Sequence, residues 1–176
     1  MKLKKFNGTE SRIYALVQQV FDEQNLNDSG LVVWDVRFEK EGAAWYLRVL
    51  LDHMERAVNI TDCEQVTRPL NKLLDELDPI PQSYTLEVGS AGLERELIRE
   101  THFDACEGCR VHVRLIRPAE DGAKDLTAVL KGCDREQITL QTDDGAETEL
   151  PLAGIAFVKL ADLDEEELRR ADAPSE

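Results

Sequence analysis

The order of apolar and polar residues first indicates an amphipathic helix near the start of the chain. From Thr9 onward, apolar side chains recur at the three- and four-residue intervals that place them on one helix face. Thr9 or Ser11 is available as the N-cap, and the helix is expected to end near Leu26, before the polar residues 27–30. The apolar stripe comprises Ile13, Leu16, Val17, Val20 and Phe21.

Two segments of alternating pattern follow and predict a β-hairpin. Residues 31–39 and 45–52 alternate between apolar and polar side chains, as half-buried strands do, and the link at 40–43 is short enough for antiparallel neighbours. The side chains expected to face the core are Val32, Trp34, Val36 and Phe38 from the first strand, and Trp45, Leu47, Val49 and Leu51 from the second.

A second helix and a third strand complete the first predicted domain. Thr61 and Glu64 have the spacing of a capping box, in which each side chain accepts a bond from a backbone N–H at a helix start. The helix ends before Pro79, and residues 84–88 then have the composition of a strand that can lie parallel to its neighbour. We therefore expect residues 1–100 to form an α+β domain, two-layered with the order αββαβ.

The chain after residue 100 has the pattern of a small all-β domain. Short apolar runs alternate with turn-forming stretches such as Asp143-Asp144-Gly145. Closure removes exposed sheet edges, so this pattern predicts a Sm/SH3-like β-barrel over residues 101–161. Residues 162–176 are expected to be an acidic, partly disordered tail. The predicted strands are 110–116, 126–133, 137–142, 147–150 and 155–160.

Composition restricts how this protein can bind nucleic acid. Its 36 acidic and 21 basic residues give a net charge of −15, which argues against binding chiefly by phosphate neutralisation. Any contact with RNA must be local, whereas the broad acidity favours basic partners. With no apolar segment long enough to span a membrane and too few cysteines for a disulfide framework, the pattern predicts a cytoplasmic protein with no membrane partner.

Cysteines and histidines give weak indications of chemistry. Cys106 and Cys109 have a spacing found in zinc sites and redox pairs, but a second ligand pair is missing, and buried small apolar residues are the favoured interpretation. His53, His102 and His112 are scattered, and no nucleophile motif is present. We expect no enzyme activity, no cofactor and no metal.

Basic residues alternate along one predicted strand and favour a binding function. Arg110, His112 and Arg114 alternate with apolar residues, so they form a basic ribbon on the outer face if the apolar residues are buried. An ordinary solvated strand face explains the same pattern equally well.

The turn at residues 89–95 is a second candidate site. Its glycines allow backbone N–H groups to point outward, Ser90 offers a hydroxyl, and Arg95 can hold a phosphate or carboxylate. The alternative is a tight connection in which Arg95 pairs internally with Glu87.

A set of motifs between residues 60 and 108 carries a family resemblance. They are Ile60-Thr61-Asp62-Cys63-Glu64, Leu74-Asp75, Asp78-Pro79-Ile80, Tyr84-Thr85-Leu86-Glu87-Val88, Gly92-Leu93-Glu94-Arg95, His102-Phe103 and Gly108. In order and spacing they resemble the core signature of the RimP-type ribosome maturation factors. The family's turn usually has the sequence Ser-Ser-Pro-Gly-Leu-Asp-Arg-Pro-Leu. Gly89, Ala91, Glu94 and Glu96 replace its first serine, both prolines and its aspartate, so this turn is expected to be less rigid.

The resemblance implies a non-enzymatic, monomeric cytoplasmic factor that binds the free small ribosomal subunit and assists its late maturation. It implies contacts with ribosomal RNA and with a basic ribosomal protein. The competing hypothesis is a stand-alone Sm-like RNA-binding or regulatory protein, for which a ring-shaped oligomer would be evidence. The residues expected to bind the ribosomal partner are Ser90, Gly92, Leu93, Arg95, Arg110 and Arg114.

Overall fold

The computed structural model describes residues 1–92 and 95–161. The predicted tail at 162–176 and the candidate residue Leu93 therefore lie outside the described residues. The chain divides into two compact units, one formed by Phe6–Gly92 and the other by Met1–Lys5 together with the part that follows Gly92. In the described part, no helix is both long enough and apolar enough to cross a membrane. Residues 1–92 and 95–161 contain three α-helices and two sheets, which is a mixed α+β structure, as predicted.

The first unit contains two helices and a three-stranded sheet. Strand order is β1-β2-β3, with β1 antiparallel and β3 parallel to the central strand β2. The elements are α1 (Gly8–Glu23), a short 3-10 helix (Asn27–Ser29), β1 (Leu31–Glu41), β2 (Ala44–His53), α2 (Ile60–Leu77) and β3 (Thr85–Ser90).

In both helices of this unit the N-cap is an asparagine, not one of the threonines or the serine expected. The Asn7 side chain accepts from the Glu10 N–H, and the Glu10 carboxylate accepts from the Asn7 N–H. Asn59 and Asp62 form the same capping box at the start of α2. Each asparagine has extended backbone angles, which a residue needs in order to cap from outside the helix.

The core of the first unit lies between the two helices and the sheet. Its interior residues come from α1, α2 and alternate positions of the strands. The predicted core face of β2 is confirmed, with three of its members fully buried and Trp45 packed against the same cluster. The fully buried residues of the cluster are Ile13, Val17, Val20, Leu31, Val36, Leu47, Val49, Leu51, Val66 and Leu70.

The predicted core face of β1 is confirmed at Val36 and Phe38 but is wrong at Val32 and Trp34, because the strand contains a β-bulge. Pairing with β2 skips Trp34, which is an extra residue relative to the partner strand. An extra residue reverses the alternation of faces, so Leu31 and Val36 lie in one buried cluster although they are five residues apart. Val32 and Trp34 thus do not share a face with Val36 and Phe38.

The described part of the second unit contains one short α-helix and a five-stranded antiparallel sheet. Its strand order is β7-β6-β5-β4-β8, and β7 and β8 are not paired in the described part of the chain. The prediction of a closed barrel is therefore not met, because closure requires the two edge strands to share hydrogen bonds. The elements are α3 (Glu100–Ala105), β4 (Arg110–Leu115), β5 (Asp125–Cys133), β6 (Gln137–Gln141), β7 (Glu147–Pro151), a short 3-10 helix (Leu152–Gly154) and β8 (Ile155–Leu160).

Candidate nucleic-acid interface

The outer face of β4 carries the basic ribbon that alternation predicted. Val111 and Val113 are fully buried, so the residues between and beside them point to the opposite face. Arg110, His112 and Arg114 are all at least partly exposed there.

Acidic side chains from neighbouring elements contact this ribbon. Arg110 Nη1 lies 2.9 Å from Asp143 Oδ1. Asp125 serves two partners, since His112 Nε2 lies 2.8 Å from Oδ1 and Arg114 Nη2 lies 3.3 Å from Oδ2. All of these side chains are partly exposed, and exposed ion pairs contribute on the order of 0–1 kcal/mol. The arginines can therefore exchange their partners for phosphate at small cost.

Strand β8 adds an aromatic ring and a further cation to the same face. In the β4–β8 register, Phe157 lies opposite Arg114 and Lys159 lies opposite His112. The Phe157 ring centroid is 4.8 Å from Lys159 Nζ and 6.0 Å from Arg114 Cζ. The His112 ring meets it edge-on, with centroids 5.5 Å apart and planes at 81°. We call Arg110, His112, Arg114, Phe157 and Lys159 the cationic face.

Sequence alternation alone did not reveal Phe157 and Lys159. A regular strand would place Ile155 on the same side as these two residues. The β4–β8 pairing instead skips Ala156, so Ile155 is fully buried while Phe157 stays partly exposed. The signal that could have identified this face is the mixture of an aromatic ring with basic residues, typical of surfaces that bind single-stranded nucleic acid.

The cationic face has the chemistry to bind an RNA strand at a few points. Arginine and lysine can contact phosphate oxygens, and a partly exposed phenylalanine ring can stack on a base. Cation–π contacts at exposed sites are worth roughly 0.5–1 kcal/mol, whereas base stacking on an aromatic side chain is worth about 1–3 kcal/mol. A base can therefore displace Lys159 from the Phe157 ring, which leaves the ammonium group available to a phosphate.

The candidate residues of the 89–95 turn are divided between the two units. Ser90 is the last residue of β3, and its Oγ accepts from the Gly92 N–H at 3.1 Å. Gly92 has a φ of 83°, a left-handed conformation that favours glycine. Arg95 belongs to the second unit, where its carbonyl accepts from the Leu160 N–H at 3.0 Å.

Glu87, the internal partner considered for Arg95, contacts an arginine of its own sheet. Its Oε2 lies 2.7 Å from Arg48 Nε, and Arg48 also contacts Glu41. The Arg48 guanidinium holds the pKa of Glu41 below its usual value, chiefly through its hydrogen bond to that carboxylate. Glu87 thus has a partner within the first unit other than Arg95.

The described residues contain no arrangement of cysteines suited to metal binding or redox chemistry. Cys106 is buried at the end of α3 and Cys109 is exposed, and all four cysteines are free thiols. Burial, followed by the charge of Asp134, raises the pKa of the Cys133 thiol to about 11, which disfavours the reactive thiolate. Within the described ranges, no three His, Cys, Asp or Glu side chains are grouped to hold a metal ion.

Comparison with known protein families identifies the N-terminal part of the chain. Residues 23–94 match the RimP N-terminal domain. The matched range runs from the end of α1 through the sheet and α2 to the turn after β3. RimP proteins are ribosome maturation factors, and the match confirms the resemblance carried by the motifs between residues 60 and 94. The match over residues 23–94 thus assigns this part of the chain to the RimP N-terminal domain and supports a RimP-type family.

Proposed function

We propose that this protein is a non-enzymatic ribosome maturation factor that binds the free small ribosomal subunit in the cytoplasm and assists its late maturation. The observation that carries this proposal is the RimP N-terminal domain at residues 23–94. The cationic face on the second sheet suits contact with RNA, and the net acidity of the chain suits contact with basic proteins.

The proposed mechanism uses charge of both signs. A chain with a net charge of −15 attracts basic protein over most of its surface. RNA is held at the cationic face, where Arg110, Arg114 and Lys159 reach phosphates and Phe157 stacks on a base. Such a factor holds a protein and a nearby RNA segment together during assembly, without wrapping the RNA.

The turn after β3 is the second proposed contact with the subunit. Ser90, Gly92, Leu93 and Arg95 are the residues assigned to it, on the strength of the family motif. Arg95 supplies a planar guanidinium that can hold a phosphate through two hydrogen bonds. The factor acts as a monomer in this proposal.

Gradient fractionation of a cell extract tests the function directly. The protein is expected to migrate with free small subunits and to be absent from translating ribosomes. Recovery away from small subunits at every salt concentration would contradict the proposal.

Charge reversal tests the proposed RNA contacts. Arg110→Glu with Arg114→Glu is expected to weaken co-sedimentation with purified small subunits at least tenfold, and Arg95→Glu to weaken it further. Arg68→Glu with Lys72→Glu changes net charge by the same amount on the exposed face of α2, where both side chains are more than three-quarters exposed. That control is expected to sediment as wild type. Equal binding by both double variants would remove the cationic face from the proposal.

A stand-alone Sm-like RNA-binding or regulatory protein is the alternative. The five-stranded antiparallel sheet with a basic, aromatic outer face favours it. A ring-shaped oligomer that binds RNA but does not migrate with small subunits would support this alternative over the maturation factor.

A further inference from the structure

The second unit has an unpaired strand edge beside an apolar groove, and neither belongs to the cationic face. Among the described residues, β7 pairs with β6 alone, so its other side has no strand partner. The groove beside it has a volume of about 1010 Å³. Its apolar lining comprises Leu115, Ile116, Pro118, Ala119, Leu150 and Ala153.

The hydrogen-bond pattern of β7 determines which backbone groups face outward. At one end of the β6–β7 ladder, the Leu152 N–H donates to the Glu136 carbonyl at 2.8 Å. Bonded positions recur at every second residue of an antiparallel ladder, so the even-numbered residues of β7 bond to β6. The N–H and C=O groups of Glu147 and Glu149 therefore point away from the sheet, where another strand could bind them.

Charge around the edge and groove is predominantly acidic. Glu147 and Glu149 are exposed on β7, and Glu120 and Asp121 line the groove. Arg117 is the one cation among the lining residues. The backbone, apolar and acidic features together define a site for an extended chain that carries both apolar and basic side chains.

We propose that the β7 edge and its groove bind an extended segment of a basic protein by strand addition. The segment pairs with the outward groups of Glu147 and Glu149, places apolar side chains in the groove, and directs lysine or arginine toward the acidic rim. This inference rests on the proposed function, because it assigns a docking site to the basic protein partner of that function.

Charge distinguishes this partner from other occupants. A second copy pairing through β7 would bring Glu147 and Glu149 against the same residues, and like charges opposite each other destabilise strand pairs. Residues 162–176 of this chain contain seven acids and two arginines, so they are repelled as well. RNA would bring phosphates to an acidic rim, whereas a basic segment satisfies the charges and the apolar surface together.

Two synthetic peptides of opposite charge test whether the site prefers a basic partner. A fluorescein-labelled peptide of alternating lysine and valine is titrated with the full chain, and fluorescence anisotropy reports its affinity. The alternating glutamate and valine peptide has the same length and apolar content. The basic peptide is expected to bind at least tenfold more tightly, and equal binding of the two would overturn the proposal.

Substitution at Glu149 separates strand pairing from simple charge attraction. Glu149→Gln removes the charge and keeps the outward N–H, whereas Glu149→Pro removes both without taking a hydrogen bond from β6. Because a hydrogen bond contributes about 0.5–1.5 kcal/mol, the proline variant is expected to bind the basic peptide roughly 2- to 12-fold more weakly than the glutamine variant. Thermal unfolding of each variant verifies folding, and equal affinities in folded variants would refute strand addition.

Hydrogen exchange in the wild-type chain gives an independent measure that needs no substitution. Saturation with the basic peptide is expected to slow exchange at the amides of Glu147 and Glu149. Unchanged exchange at both amides under saturation would contradict the proposal.

The groove is tested with a matched pair of exposed isoleucines. Ile116 is 55% exposed at the groove, and Ile60 is 80% exposed at the start of α2. Ile116→Asp is expected to weaken binding of the basic peptide about fivefold, because the apolar surface that the peptide covers is lost. Ile60→Asp is expected to leave the affinity unchanged, and equal effects of the two substitutions would exclude the groove.

Failure of this inference and failure of the proposed function give different results. If wild type migrates with small subunits but Ile116→Asp and Glu149→Pro have no effect on peptide binding, the docking site is wrong and the function remains. If the peptide results are as expected but wild type never associates with small subunits, the docking site remains and the function is wrong. Dimers of the wild type that Glu149→Pro dissociates would assign the edge to self-association and overturn the inference.

Discussion

At the residue scale, Asp62 joins the start of α2 to the loop before it. Its two carboxylate oxygens accept from Arg56 Nη1 and Nη2 at 2.7 and 2.8 Å, and one oxygen also accepts from the Asn59 N–H at 2.8 Å. The side chain is only 7% exposed. The Arg56 hydrogen bonds are the main reason that the pKa of Asp62 falls to about 2, with the Asn59 amide adding to the effect.

The lowered pKa predicts a specific acid sensitivity. Because the pKa of Asp62 is below its ordinary 3.8 in the folded state, the ionised carboxylate stabilises the fold above about pH 4. That stabilisation is lost as the pH falls from about 4 toward 2. Urea unfolding at a series of pH values is expected to show a smaller loss over this interval for Asp62→Asn than for wild type.

A glutamate on the same helix provides the control for this measurement. Glu64 is 59% exposed and contacts Arg68 at 3.4 Å. Glu64→Gln is expected to keep the wild-type pH profile, since an exposed pair contributes little. Identical profiles for Asp62→Asn and wild type would show that the Arg56 contact does not affect stability.

At the element scale, the capping box of α1 also protects the edge of the first sheet. Glu10 is buried, and while one carboxylate oxygen accepts from the Asn7 N–H, the other accepts from the Phe38 N–H at 3.1 Å. Phe38 lies on β1, an edge strand with an outward side that has no partner strand in the described sheet. One side chain therefore caps a helix and satisfies an edge amide.

Because Glu10 has both roles, substitutions at Asn7 and at Glu10 are expected to lower the free energy of unfolding by different amounts. Asn7→Ala removes a cap and is expected to lower the free energy of unfolding by about 0.5–2 kcal/mol. Glu10→Ala is expected to lower it further, because a buried amide left without an acceptor costs about 1–3 kcal/mol in addition.

Thr9→Ala is the matched control, since Thr9 has the residue type of a cap but lies inside α1. Its free energy of unfolding, measured with urea, is expected to stay within roughly 0.5 kcal/mol of the wild-type value. A larger effect at Thr9 than at Asn7 would contradict the observed cap.

At the scale of the whole molecule, strong acidity coexists with a small cationic face. Three permanent cations are available there, at Arg110, Arg114 and Lys159, in a chain with a net charge of −15. Few phosphate contacts release few counterions, so affinity for RNA is expected to depend only moderately on salt.

The salt dependence of RNA binding has a predicted value. For a labelled single-stranded RNA of mixed sequence, the logarithm of the association constant is expected to fall with log salt at a slope of about −2, from roughly 0.7 per phosphate contact. Lys159→Gln is expected to reduce the slope by about 0.7, while Lys72→Gln on α2 leaves it unchanged. A wild-type slope steeper than about −5 would indicate phosphate contacts well beyond the cationic face.

Much of the secondary structure was predictable, because burial requires a regular period. The stripe from Ile13 to Phe21 and the alternation in β2 follow the geometry of a helix and a strand facing one core, and both are buried as expected. The same rule predicted an outward face for Arg110 and Arg114 from the apolar residues between them. The resemblance to the RimP N-terminal domain was also predictable, because its motifs are defined by the order and spacing of residues along the chain.

Tertiary structure decided what depends on partner strands and on groups distant in sequence. The bulges at Trp34 and Ala156 arise from pairing with a neighbour, and each reverses a face that alternation would assign otherwise. Phe157 joins the cationic face for this reason. Sequence periodicity determined which segments form helices and strands, because each segment must bury its own apolar side chains. Strand register, the open β7 edge and the Phe38–Glu10 bond were decided by the fold, since they join residues that only folding brings together.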